Sequence, residues 1–270
     1  NATEDAVAEL TQTLGLDRPL ITQYFEWVGG LLSGNFGTSL SSQQDITPLV
    51  LDRAQVSLIL VGLAIVLALA GAVPMGMWLA RTGNTFVSAL TQIGIAVPSF
   101  LVGIIMVAFF AVRLGWLPAN GWIPPDQDFG GFIARLIMPV ISLALVQGAM
   151  LTRYVRSSIV DVMDHDYIRT ARALGLSHAE ALRRHGLRNA ALPVLTVTGL
   201  QLTTLIVGAV VIESVFVIPG LGSMLLDAVS NRDLTTVQTL VMLLVFFTLV
   251  INLATDLAYR VIDPRLKEKR

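Results

Sequence analysis

The sequence predicts an all-α, polytopic membrane protein, and three observations carry that prediction. Its 270 residues are 54% hydrophobic and only 14% charged, with a mean hydropathy of +0.72. Soluble globular chains carry about 25% charge. Five predominantly apolar stretches contain no Asp, Glu, Lys or Arg: 54–80, 82–112, 136–152, 189–212 and 234–255. A membrane-spanning helix needs roughly 20 predominantly apolar residues, so these stretches read as five spans. The third observation is the placement of the cations. Segments 81, 153–188 and 256–270 hold 13 Lys and Arg, whereas 1–53, 113–135 and 213–233 hold 5. The positive-inside rule then puts the first set in the cytoplasm. The chain divides into an extracytoplasmic segment 1–53, a transmembrane domain 54–255 containing the cytoplasmic loop 153–188, and a cytoplasmic tail 256–270. An extracytoplasmic N-terminal end is most simply explained by a further span upstream, giving six in the gene product.

The elements follow in order. Within 1–53, Leu10, Leu14 and Leu16, then Tyr24, Trp27, Val28 and Leu31, predict two short amphipathic helices lying against the membrane surface. Gly29-Gly30, Gly34 and Gly37 mark the turns that follow. The first span, 54–80, carries Gly71 and Pro74. Stretch 82–112 is too long for one straight span, and Pro98-Ser99 near its middle predicts a kink, or a surface segment followed by a span. Trp116 and Trp122 in 113–135 suit an interface belt. Spans 136–152, 189–212 and 234–255 follow. Between the last two, Pro219-Gly220-Leu221-Gly222 predicts an outer loop with a partly re-entrant helix.

Loop 153–188 has the most specific local chemistry. Asp166 caps a short helix, Tyr167–Leu174, and Gly175 stands where a left-handed residue ends it. Ser177 and Glu180 have capping-box spacing, so a second helix runs over about 178–186. The product is a helix, a glycine hinge and a helix. Ile168, Ala171 and Leu174 form an apolar edge on the first helix, and Ala179, Leu182 and Gly186 form one on the second, while Arg169, Arg172, Arg183, Arg184 and Arg188 stay solvated.

Here the sequence resembles a family. The run from Asp166 to Leu176, followed by His185-Gly186-Leu187-Arg188-Asn189 and Ala190 to Thr196, is similar to the coupling loop of bacterial ABC-importer permeases, most of all the dipeptide/oligopeptide/nickel branch. Arg169-Thr170-Ala171 replaces the family's general Glu-Ala-Ala, and Leu187-Arg188 stands where Leu-Pro is usual; both departures resemble the peptide branch. Leu14 to Leu20 with Gln23-Tyr24, Pro98-Ser99-Phe100, Arg113 to Pro118, Glu213-Ser214-Val215-Phe216, Pro219 to Gly222, Arg232-Asp233 and Asp263-Pro264-Arg265 extend the likeness over nearly the whole chain.

The resemblance implies a type I ABC-importer transmembrane domain, the B-type permease subunit, in a bacterial cytoplasmic membrane. It implies no catalytic residue on this chain. Asp166, Tyr167, Arg169, Thr170, Ala171, Leu174, Gly175, Leu176 and Ser177 would contact ATPase subunits, two separate or one fused, which would carry ATP and Mg. A second homologous permease, a heterodimer partner, would complete the pathway, and an extracytoplasmic substrate-binding protein would deliver peptide. Pro98, Ser99, Gln147, Gln201, Thr204, Glu213 and Asn252 are the candidates for lining that pathway. For Glu213 an interfacial carboxylate paired with Arg232 is the plainer expectation.

Other classes fit less well. Zero cysteines remove disulfides and thiolate chemistry. His165, His178 and His185 give no chelating face, and no metal, cofactor or nucleic-acid partner is expected of this chain. No Walker motif is present, so ATP hydrolysis belongs to other subunits. The alternative is a proton-coupled secondary transporter of small solutes. That class places ionisable residues within spans and commonly shows internal duplication, and neither is visible in the five stretches.

Overall fold

The computed structural model describes residue 11 and residues 17–262. Among them every extended element is a helix, and the one strand-like feature is an isolated bridge between Thr38 and Asp45. We number the helices α1, Leu20–Leu32; α2, Thr47–Thr82; α3, Thr85–Ala96; α4, Ser99–Arg113; α5, Phe129–Met163; α6, Asp166–Ala173; α7, His178–Val215; α8, Leu221–Ser230; and α9, Leu234–Ile262.

Among the described residues four helices, α2, α5, α7 and α9, are long and apolar enough to cross a membrane, and the bent pair α3 and α4 brings the number to five if it is counted as one span. The pair turns through 98° at Val97-Pro98. Pro98 has no amide hydrogen to continue the α3 ladder and pushes Val97 into an extended conformation, so the helix stops and restarts. The break expected at Pro98 is found, and an angle of 98° is compatible with both a kinked span and a surface segment followed by a span. The last turns of α4, Val107–Arg113, widen into a π-helix.

The charge-free stretches mark the middles of the helices. α2 and α5 run to 36 and 35 residues, because a helix emerging from lipid needs no apolar side chains to keep its backbone bonded. The largest departure from expectation is α7. The second helix of loop 153–188 and stretch 189–212 form one helix of 38 residues, with a π-helical turn at Leu182–Gly186 and Pro193 inside it.

The chain separates into two compact units. One combines the described residues up to Asp52 with Leu225–Met242; the other takes Arg53–Met224 and the described residues from Leu243 on. In the second unit, Leu60, Ala64 and Ala68 of α2, Leu136, Leu143 and Leu151 of α5, and Leu205, Ala209 and Ile212 of α7 bury one another together with Phe216 and Ile218. Small residues let the helices approach closely, as membrane packing favours.

In the first unit Asp233 is the organising residue. It lies immediately before α9 and takes hydrogen bonds from the Thr236 N–H at 3.3 Å and the Thr236 hydroxyl at 2.8 Å, so it caps that helix. It also accepts from the Ser39 hydroxyl and from the Leu40 N–H at 3.0 Å. Burial opposes its charge, but the donors from Ser39, Leu40 and Thr236 outweigh that and hold its carboxyl well below the usual carboxylate range. One predicted outer helix is present as α1; the other, around Leu10 to Leu16, lies outside the described residues apart from Thr11.

Candidate functional site

Loop 153–188 folds as a helix pair. Gly175 adopts φ +98°, the Leu176 N–H donates to Ala171 O at 3.2 Å and the Gly175 N–H to Arg172 O at 3.0 Å. This pair of bonds is the Schellman ending, and its left-handed residue favours glycine. The Ser177 hydroxyl accepts from the Glu180 N–H at 3.3 Å, while the Glu180 carboxylate accepts from the Ser177 N–H at 3.1 Å. Both ends of the hinge are thus closed by the bonds the sequence predicts. The Asn189 amide donates to the Tyr167 hydroxyl at 2.9 Å and ties α6 to α7.

Two expectations need correction. Asp166 is the first residue of α6 rather than its cap; the cap position is His165, which makes no side-chain capping bond, and the Asp166 carboxylate meets Arg169 at 3.6 Å instead. Ile168 and Ala171 do not form an outward edge. They are buried with Val155, Ile159 and Val162 of α5 and Ala181, Leu182 and Ala190 of α7. A short helix cannot be stable alone, so its apolar side goes to its own protein. On the second helix likewise, Leu182 and Gly186 turn inward and Ala179 outward. Exposed on and just after α6 are Leu174, at 82%, and Tyr167, Arg169, Thr170, Arg172 and Ser177, while Leu176 is half-buried. Beside it a groove of about 600 Å³ is lined by Met77 and Arg81 at the end of α2 and by Ser177, Glu180, Leu182, Arg183 and Leu187. The part played by Met77 and Arg81 has no local sequence signal.

At its other end α7 reaches Glu213, which is 1% exposed. Its carboxyl accepts from the Ser57 hydroxyl of α2 at 2.6 Å and from the Ser223 N–H of α8 at 3.0 Å. Ser57 in turn accepts from the Leu221 N–H at 2.8 Å. These partners, rather than Arg232, satisfy Glu213, and the expected interfacial ion pair is corrected accordingly. Gly220 and Gly222 make room for it. A β-carbon on Gly220 would overlap the Glu213 carboxyl, and one on Gly222 would stand 2.5 Å from Val210 Cα. The carboxyl therefore holds three helices together at the Pro219–Gly222 turn, one residue beyond the charge-free stretch that hid its burial.

The remaining pathway candidates are dispersed. Pro98 is exposed at the break; Ser99 is half-buried and faces Gly208 of α7. Gln147 is buried on α5, Gln201 is half-buried on α7, and Thr204 is exposed and bonds back to Leu200 O at 3.3 Å. Asn252 is exposed on α9. None of these lines the cleft of about 710 Å³ between α2, α3 and α5, whose walls are apolar, with Leu67, Gly71, Met75, Leu90, Gly94 and Leu145 among them. Glu213 lines a separate, small cavity of about 40 Å³ with Ser57, Val61, Leu221 and Phe247.

Comparison with known proteins gives a consistent result. The profile of a family described as binding-protein-dependent transport system inner membrane component matches residues 61–268. The probable peptide ABC transporter permease protein y4tP of Sinorhizobium fredii is 36% identical over 270 residues, covering 98% of this chain and 86% of that protein. The oligopeptide transport system permease protein AppB of Bacillus subtilis is 37% identical over 269 residues, covering 96% and 84%. Among solved structures, an inward-facing MetNI methionine ABC transporter matches with TM-score 0.66 at 19% identity, covering 81% of this chain and 98% of that one. An amino acid ABC transporter matches with TM-score 0.60, also at 19% identity, covering 79% and 94%. At that identity the likeness is one of fold.

Proposed function

The chain belongs to the family of binding-protein-dependent transport system inner membrane components, and we propose that it forms half of the membrane pathway of an ATP-driven peptide importer, moved by ATPase subunits that dock on the helix pair 166–186. Membership makes it a multi-pass inner-membrane permease subunit of an ABC importer, a class that works with ATPases and a substrate-binding protein. Peptide as cargo rests on the names of relatives that align along nearly the whole chain.

The observation that carries the coupling reading is the continuity of α7. The helix pair is packed into one buried cluster, and its second member continues through the π-helical turn and past Pro193 as one helix to Glu213, about 50 Å away at 1.5 Å per residue. A push on Leu174 and its neighbours is therefore delivered to a stiff rod. The far end of that rod is bonded to α2 through Ser57 and to α8 through Ser223. Hydrolysis of ATP with Mg takes place on the partner subunits, and this chain converts their closure into a change of access. The second half of the pathway is a homologous, distinct permease, and the C-terminal end faces the cytoplasm.

Glu213 gives no support to proton coupling. It lies within a spanning helix, but its oxygens are committed to hydrogen bonds that hold the turn. Reconstitution into liposomes with the second permease, the ATPases and the binding protein tests the proposal: uptake of labelled peptide should require all four components and ATP. Uptake by this chain alone, driven by a proton gradient, would contradict it.

A further inference from the structure

We propose that α1, Leu20–Leu32, is a membrane-surface helix that lies in the lipid headgroup region with its apolar face down, held there by apolar area and not by attraction to anionic lipid. Three observations within the first unit lead to it. At 100° per residue, Trp27, Leu20, Leu31, Tyr24, Val28, Ile21, Leu32 and Phe25 fill one arc of about 160°. Thr22, Gln23, Glu26, Gly29 and Gly30 fill the opposite side. α1 buries none of its side chains in the protein, and Leu20, Ile21, Phe25 and Leu32 are each more than two-thirds exposed. A monomeric soluble surface rarely leaves so continuous an apolar face in water.

The second observation fixes the height of the helix. Its C-terminal end is stapled to the point where two spans begin. The Asn35 N–H donates to Gly30 O at 2.9 Å. The next residue, Phe36, donates its N–H to the Thr47 hydroxyl at 2.9 Å, at the start of α2, and accepts from the Thr239 hydroxyl at 3.1 Å. Thr239 lies six residues past Asp233, the last charge before α9, which is about 9 Å along the helix. The staple thus ties α1 to the first turns of both spans, where Thr47 stands five residues before Asp52 on α2 and Thr239 six residues past Asp233 on α9; it lies among the outermost charges of the two helices, which is interfacial depth. Tyr24 and Trp27, 6.4 Å apart, are the residue types enriched at that depth.

The third observation concerns charge and selects the kind of lipid contact. The one charged side chain in α1 is Glu26, and it is neutralised by a bidentate contact with Arg18 at 2.7 and 2.8 Å. Surface helices that bind anionic lipid carry Lys and Arg on the polar face; this one carries neither. A protein partner on the same face is the competing occupant, and the test separates the two.

The chain has no cysteine, so single-cysteine labelling needs no prior engineering. Ile21→Cys and Phe25→Cys report the apolar face; Thr22→Cys and Gly29→Cys report the opposite one. All four sites are exposed, so folding is not at stake. Each full-length variant, assembled with its partner subunits, is labelled with an environment-sensitive fluorophore in vesicles of phosphatidylcholine, with and without phosphatidylglycerol. The expected result is that nitroxide-headgroup lipid lowers the emission of the Ile21 and Phe25 probes by about twofold or more, that iodide lowers only the Thr22 and Gly29 probes, and that both vesicle types agree. Equal quenching of all four probes by iodide would show a solvated helix and overturn the proposal. Protection of Ile21 and Phe25 from both quenchers would show a protein partner on that face, and lipid contact confined to anionic vesicles would show an electrostatic anchor; either would overturn it too.

Discussion

Glu213 and Ser57 stand 156 residues apart in the chain and 2.6 Å apart in the fold, the carboxyl buried and the serine half-buried. The Ser57 hydroxyl donates to Glu213 and accepts from the Leu221 N–H, so a single hydroxyl joins α2, α7 and α8. Removing one member strands the others, and a buried donor left unpaired costs about 1–3 kcal/mol. Ser57→Ala is expected to lower stability by about 2 kcal/mol, read as a fall in the thermal unfolding midpoint of the purified complex in detergent. A midpoint equal to that of the wild type would remove Ser57 from this role.

The two glycines of the turn are expected to respond differently. A β-carbon at Gly220 meets the end of the Glu213 side chain, which can shift only by giving up bonds to Ser57 and Ser223; one at Gly222 meets the Val210 backbone as well, which cannot shift without moving α7. Gly222→Ala should therefore lower the unfolding midpoint more than Gly220→Ala. Shortening Glu213 to Ala should relieve more of the strain at Gly220→Ala, whose new β-carbon meets only the Glu213 carboxyl, than at Gly222→Ala, whose new β-carbon also meets Val210. A double-mutant cycle with no coupling between positions 213 and 220 would contradict the packing described.

The helix pair separates folding from coupling. Gly175→Val forces a β-branched residue into φ +98° and should cost about 1–3 kcal/mol as well as transport. Ala171→Asp buries a carboxyl among Ile159, Val162 and Leu182, and is expected to lower the amount of folded protein rather than uncouple it cleanly. Leu174→Asp changes a side chain that is 82% exposed, so the midpoint should stay within about 0.5 kcal/mol of wild type while uptake falls.

Asp233 predicts a pH dependence. Its carboxyl is held below the ordinary value in the folded chain, so the stability it contributes is complete above about pH 4, the unfolded carboxylate range, and is lost as pH falls from there toward the folded value. The wild-type midpoint should drop between about pH 4 and 3 more steeply than that of Asp233→Asn. At pH 7 the variant should be about 2 kcal/mol less stable, having lost acceptor capacity for Ser39, Leu40 and Thr236. Parallel pH profiles would contradict the assignment.

What was legible in the sequence was what local chemistry decides. The charge-free stretches located the four long apolar helices and the bent pair, Pro98 located the break, and Gly175 with Ser177 and Glu180 located the hinge. Contacts set by distant residues were not legible. Ser57 sits in an apolar stretch, and nothing near it announces Glu213. Ile168 and Ala171 are spaced as an amphipathic edge should be, but spacing does not say whether such an edge faces a partner or its own α5. The continuity of α7 through position 188 was hidden for a related reason: Arg188 closes a charge-free window without ending a helix.

The central claim is that α6 touches an ATPase. A Leu174→Cys variant in the assembled importer measures this directly, since no other cysteine in the chain competes. A short bifunctional reagent should join position 174 to an ATPase subunit that carries surface cysteines, and ATP should change the yield. A complex that imports peptide normally while position 174 forms no crosslink to an ATPase in any nucleotide state would contradict the account.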